Sequence, residues 1–175
     1  GHPAYYSIIM KAEVTSAVNF LTNLLRSNKD FVRQPVRLER FSQILINLVC
    51  EHYQSHWFPD KPFRGSGYRC IRINDMKMDP LIAKAGQLVG KQVDEMQLLL
   101  PSELTVWVDP DEVSYRIGEE GSICVLYDGV SKTTSETKLS AMDLLNCKMQ
   151  WNNRNSSHPG LDTADFNRND VTVNA

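Results

Sequence analysis

The chain lacks any run of about 18 apolar residues, the length that a bilayer-spanning helix needs. It also lacks an opening basic segment followed by an apolar one, the mark of a secretory signal. A soluble intracellular protein with no membrane partner is therefore expected. Positive charge is not in excess: 19 Lys and Arg stand against 21 Asp and Glu, for a formal net charge of −2. Direct nucleic-acid binding usually rests on a basic field, so none is expected. Cysteine is sparse and scattered: Cys50, Cys70, Cys124 and Cys147 form no C-x-x-C pair, which favours reduced, structural thiols over disulfides. There is no G-x-G-x-x-G, no P-loop and no G-x-S-x-G elbow; the "GSG" at 65–67 is none of these. His52 and His56 stand four apart in a helical stretch, but Tyr53 occupies the position where a zincin has Glu, and no later His or Cys lies at ligand spacing. No enzyme, cofactor or metal is expected from this pattern.

What the chain does have is a core and two periodicities. Of its 175 residues 42% are hydrophobic, enough for one domain with a tail. From Ser7 to Ser27, the residues Val14, Ala17, Val18, Leu21, Leu24 and Leu25 recur at three- and four-residue spacing, and from Pro35 to His56 so do Leu38, Phe41, Ile44, Leu45, Leu48 and Val49. Both patterns predict amphipathic helices, joined by a polar loop from Asn28 to Gln34. "FPDKPFRGSG" reads as a loop and "YRCIRI" as a strand. Asp79, Pro80 and Gly90 supply a cap, a first helical residue and a left-handed stop for another helix; a shorter one runs from Gln92 to Leu100. Strands at Leu104–Asp109, Val113–Ile117 and Ile123–Tyr127 follow, the last two joined by "GEEGS". The order predicts an α+β fold, a helical N-terminal half packed with a small, largely antiparallel sheet. Residues 129–175 are polar and aperiodic, so a disordered tail is expected, with a short helix near 141–151.

Alternation within the strands raises a question. Leu104, Val106 and Val108 share one face, which leaves Trp107 on the other beside Thr105 and Asp109. In "YRCIRI", Tyr68 likewise falls opposite Ile71 and Ile73. An aromatic rimmed by carboxylates, here Asp109, Glu112, Glu119 and Glu120, is the composition of an interface hot spot. It is equally what a sheet covered on both faces would show. "LTNLL" at Leu21, Leu24 and Leu25 has the spacing of a helical coregulator-docking motif, and "MQLLL" at Met96–Leu100 approaches it. Both also fit a core stripe, which is the favoured reading.

At greater length, "EHYQSHWFPDKPFRGSGYRCIRIN", "KMDPLI" and "LLPSELTVWVDPDEVSYRIGEEGSICVLY" closely resemble the BTG/Tob antiproliferative family, in its short-tailed branch. The likeness spans about residues 3–128 and includes both signature boxes, near Tyr68–Leu88 and Leu99–Tyr127. It implies a non-enzymatic adaptor that docks on the Caf-type catalytic subunit of the Ccr–Not deadenylase, promotes mRNA deadenylation and restrains proliferation, in cytoplasm and nucleus. It assigns the contact to Tyr68, Asp79, Trp107 and Asp109, with Glu119 a weaker member. The alternative is a nuclear coregulator that docks transcription factors. Leu144, Leu145, Cys147 and Lys148 resemble the start of a third box, tied in the family to poly(A)-binding protein and an arginine methyltransferase. Two departures stand out. The loop "NDMKMDP" before Asp79 is one residue longer than usual, and Asp111 replaces a common aromatic.

Overall fold

The computed structural model describes residues 3–75 and 77–130; the third-box residues Leu144, Leu145, Cys147 and Lys148, and the helix expected near 141–151, lie outside them. Six helices precede and interrupt a four-stranded sheet: α1 (Pro3–Ile9), α2 (Lys11–Leu25), α3 (Lys29–Arg33), α4 (Pro35–Tyr53), α5 (Pro80–Leu88) and α6 (Val93–Leu99), with β1 (Cys70–Ile73), β2 (Leu104–Asp109), β3 (Glu112–Ile117) and β4 (Cys124–Asp128). The α+β reading holds, and the sheet is antiparallel throughout in the order β1-β2-β3-β4.

Where the helices begin and end follows from local chemistry. Pro35 opens α4 at its first turn. Asp79 caps α5, its carboxylate accepting from the amides of Leu81 and Ile82. Past the end of α5 the backbone turns left-handed at Gly90, φ 78°, where Arg37 from α4 donates to the carbonyls of Val89 and Gly90. The first predicted helix is in fact two, with a kink at Met10, which is fully buried. The expected polar loop at 28–34 also contains α3. Asn28 caps it through the amide of Asp30, and Phe31 enters the core at 1% exposure.

α2 and α4 pack against each other, and α2 lies on β2, β3 and β4. Phe20 of α2 stacks on Tyr115 of β3, centroids 4.2 Å apart. The inner face of the sheet joins Ile71, Ile73, Leu104, Val106, Val108, Val113 and Tyr115 to that core. Leu21, Leu24 and Leu25 belong to it as well, at 0%, 4% and 0% exposure. The docking reading of "LTNLL" is thereby corrected: a partner cannot reach these leucines while α2 remains packed. In "MQLLL", Met96 and Leu100 are core too.

Candidate functional site

The strand register lays a row across the outer face of the sheet. Trp107 pairs with Cys70 on one side and Ser114 on the other, and Ser114 pairs with Val125. Opposite partners in an antiparallel sheet point the same way, so the four side chains run side by side. The neighbouring row is Arg72, Thr105 and Arg116. Arg72 and Glu112 are exposed, Val125 is 55% exposed, and Trp107 is half-buried. The outer face is thus open. Trp107 keeps its edge partly covered by its neighbours, with the Arg116 guanidinium 5.8 Å from its ring centroid, a cation–π contact worth ~0.5–1 kcal/mol when exposed.

Beside this row the chain is organised by a residue that pattern reading passed over. Arg69 is fully buried. Its Nε donates to the Val108 carbonyl at 2.9 Å, one Nη to the carbonyls of His56 and Arg64, and the other to the Pro62 carbonyl and Asp109 Oδ1 at 2.7 and 2.8 Å. A guanidinium has five N–H donors, and here all five are used. Its Cζ lies 5.6 Å from the centroid of the buried Trp57 ring. One side chain therefore fastens the 56–64 loop to the end of β2 and fixes the Asp109 carboxylate, which is 21% exposed.

Tyr68 sits one residue before Arg69, and its position differs from expectation. It closes a single 3-10 turn at Ser66–Tyr68, and the strand starts only at Cys70. The turn is opened by Gly65 in the left-handed region, φ 75°, and it packs against β2. Tyr68 is 64% exposed and stacks on His56, centroids 4.3 Å apart at 11°. Tyr68, Trp107 and Asp109 are consequently brought to one surface: two aromatics and one anchored carboxylate.

Asp79 plays a different part. It is 7% exposed, and besides capping α5 its Oδ2 accepts from the Arg72 amide at 3.2 Å, tying the edge strand β1 to α5. Burial pushes its carboxyl above the usual range, while the three amides and His52 pull the other way. In the loop before Asp79, Asn74 and Lys77 exchange backbone hydrogen bonds of 3.0 and 3.1 Å. Asp79 thus positions the rim of the site from beneath. Close by, the Tyr53 hydroxyl is buried without a hydrogen-bond partner among the described residues. Its pKa is driven up, first by burial and then by Asp79 and Cys70. Burial likewise raises the Cys70 thiol.

Glu119 does not join the group. It follows Ile117, which pairs with Leu104, so it lies at the opposite end of β2 from Asp109, about 10 Å along the strand from Trp107. Its charge acts on Glu103, whose carboxyl is raised by burial first and then by Glu119. Asp111 takes the left-handed corner of the β2–β3 turn, φ 64°, a conformation that Asp tolerates better than most residues. Its backbone bonds to Glu13 on α2 and to Gly129. His52 is exposed at the end of α4 while His56 is engaged with Tyr68; among the described residues no cluster of three metal-binding side chains forms.

Comparison with known proteins bears on the family and the fold. The model of the BTG family matches residues 10–127. Protein BTG1 of Gallus gallus is 52% identical over 151 residues, covering 84% of this chain and 87% of its own. Protein BTG2 of Homo sapiens is 52% identical over 142 residues, 81% of this chain and 84% of its own. In structure, the C. elegans FOG-3 BTG/Tob domain superposes with a TM-score of 0.61 at 23% identity, covering 69% of this chain and 91% of that one, which supports the fold. The chain belongs to the BTG family.

Proposed function

We propose that this protein is a non-enzymatic adaptor that docks the Caf-type catalytic subunit of the Ccr–Not deadenylase on the outer sheet face. Membership of the BTG family supports a role in restraining proliferation, and deadenylation of mRNA is the route proposed for it here. The observation that carries the reading is Trp107: a large aromatic left on the open face of a sheet whose other face is sealed by α2, with Asp109 locked beside it by a buried arginine. Tyr68 extends the same surface. Centrally placed aromatics of this kind supply most of the affinity at interfaces, ~2 kcal/mol or more from one residue.

The mechanism is positioning. An adaptor that holds the nuclease on one face and a transcript-bound protein elsewhere raises the effective concentration of enzyme at its substrate. Poly(A)-binding protein, an arginine methyltransferase and transcription factors are the proposed second partners, in cytoplasm and nucleus, engaged through residues beyond the sheet. Leu21, Leu24 and Leu25 are not offered for this, since they are core.

Titration of the purified deadenylase subunit against wild-type protein and Trp107→Ala tests the reading. Wild type should bind, and a variant with unchanged circular dichroism should lose about thirtyfold in affinity. Equal binding by the variant would remove the sheet face as the docking surface.

A further inference from the structure

A second large apolar side chain stands nearly uncovered on the loop that Arg69 ties to Asp109. Phe63 is 85% exposed, more than any other large hydrophobic side chain among the described residues. Its loop is not loosely held. The carbonyls on either side of it, of Pro62 and Arg64, both accept from Arg69, and turns close from Lys61 to Phe58, Arg64 to Lys61 and Ser66 to Phe63 at 2.9–3.3 Å. Arg69 also sets the distance to the site. The same Nη2 nitrogen binds the Pro62 carbonyl and Asp109 Oδ1, so the peptide leading into Phe63 and the Asp109 carboxylate share one hydrogen-bonding shell. Phe63 is presented on a braced arch that Arg69 ties to Asp109, two residues from Trp107 on the same strand.

The two halves of that surface differ in charge. Around Trp107 the acids Asp109, Asp111 and Glu112 gather at the β2–β3 turn. Around Phe63 the nearest cations in the chain are Lys61 and Arg64, both exposed and in no ion pair among the described residues, with Asp60 offsetting one of them. The Arg64 guanidinium rests 4.3 Å from the Phe58 ring centroid, which holds its charge at the base of the arch. An exposed aromatic flanked by arginine on a preorganised loop has the composition of an anchor and loses little conformational freedom on binding.

Resting on the deadenylase reading above, we infer that Phe63 is a second anchor for the same partner. It inserts into an apolar depression next to the Trp107 groove, where carboxylates of the partner face Lys61 and Arg64. The footprint on this chain is then bipartite: Trp107 with acids at one end, Phe63 with bases at the other.

The test titrates the full chain, Phe63→Ser, Lys61→Glu with Arg64→Glu, and Trp107→Ala against the purified Caf-type deadenylase subunit, with thermal melts and sedimentation of each. At 85% exposure Phe63 buries little apolar surface in the free chain, so Phe63→Ser should melt like wild type and bind about tenfold more weakly. The double charge reversal should slow association at low salt, by a factor that shrinks as salt is raised. Binding by Phe63→Ser within twofold of wild type, while Trp107→Ala loses thirtyfold, overturns the second anchor and leaves the deadenylase reading standing. A wild-type chain that self-associates through Phe63, with deadenylase affinity unchanged by the serine, also overturns it. Failure of wild type to bind at all removes both.

Discussion

Arg69 and Lys91 are both withdrawn from solvent, at 0% and 4% exposure, yet their partners differ in kind. Lys91 follows α5 and reaches two carboxylates, Asp30 on α3 and Glu95 on α6, which are themselves 54% and 47% exposed. The Asp30 contact raises its pKa most, and the Phe31 ring lies 5.7 Å away. It ties helices together at the rim. Arg69 instead spends four of its five donors on backbone carbonyls of a loop and a strand end. A cation that binds carbonyls shapes the backbone, and the backbone it shapes carries Phe63, Tyr68 and Asp109. The contrast separates a scaffold clamp from a site-forming one.

The comparison breaks most sharply at Arg69. Arg69→Met leaves four carbonyls and the Asp109 carboxylate to find other partners, and removing one side of a buried charged network costs ~3–5 kcal/mol. Urea denaturation should show that loss. If the variant stays folded, the deadenylase contact proposed above should weaken as well, because the loop and Asp109 are released together. Arg69→Lys should rescue little, since an ammonium has three donors and no planar fork. Next in size is Leu21→Ala, expected to cost ~2–5 kcal/mol through its core cavity. That result separates core from docking motif: a surface leucine would cost under ~0.5 kcal/mol.

Lys91→Met should be milder, ~1 kcal/mol or less, because Asp30 and Glu95 can rehydrate and a methionine fills the apolar stem's place. The measured ratio between the Arg69 and Lys91 variants sharpens the distinction. A Lys91 cost equal to that of Arg69 would mean that the exposed carboxylates matter as much as the buried carbonyls.

How much of this was legible beforehand depends on what each feature is made of. α2, α4 and α5 are written in spacing and caps, and the alternation Leu104-Val106-Val108 placed Trp107 on the outer face correctly. Phe31 and Val32 are the two apolar residues of a polar stretch, too few for a period, so the sequence reads as loop where α3 forms. The β-type residues after Tyr68 put it on a strand by pattern, whereas Gly65 and the Arg69 network hold the start of the strand back to Cys70. Arg69 itself could not be read. Its acceptors are backbone carbonyls, which every residue supplies, so no side-chain pattern marks them. A weak signal existed: an arginine two residues past a glycine pair, entering a strand of isoleucines. Asp79 was legible as a cap, but its second bond, to the Arg72 amide, depends on tertiary packing.

Glu13 carries the comparison to the opposite sign. It is 6% exposed, and its carboxylate accepts a long bond, 3.4 Å, from the Asp111 amide. Burial raises its carboxyl above the ordinary 4.5 against the pull of its own amide and that of Asp111, and the Asp111 charge adds a little to the rise. The folded pKa therefore lies above the unfolded one. Below 4.5 both states hold the proton and the group has no effect on stability. As pH rises past that value the unfolded chain ionises first, so stability falls until the folded carboxyl has ionised too. Glu13→Gln removes this drift and keeps an acceptor for the Asp111 amide. It should match wild type in acid and exceed it at neutral pH, by under ~1 kcal/mol, in urea denaturation repeated across that range. A variant less stable than wild type at neutral pH would show that the ionised carboxylate is held by Asp111 more firmly than burial opposes it. Glu13 would then rank with Arg69 as a matched buried charge. The expected gain ranks it apart, as a charge kept at some cost beneath the turn in which Trp107's own strand ends.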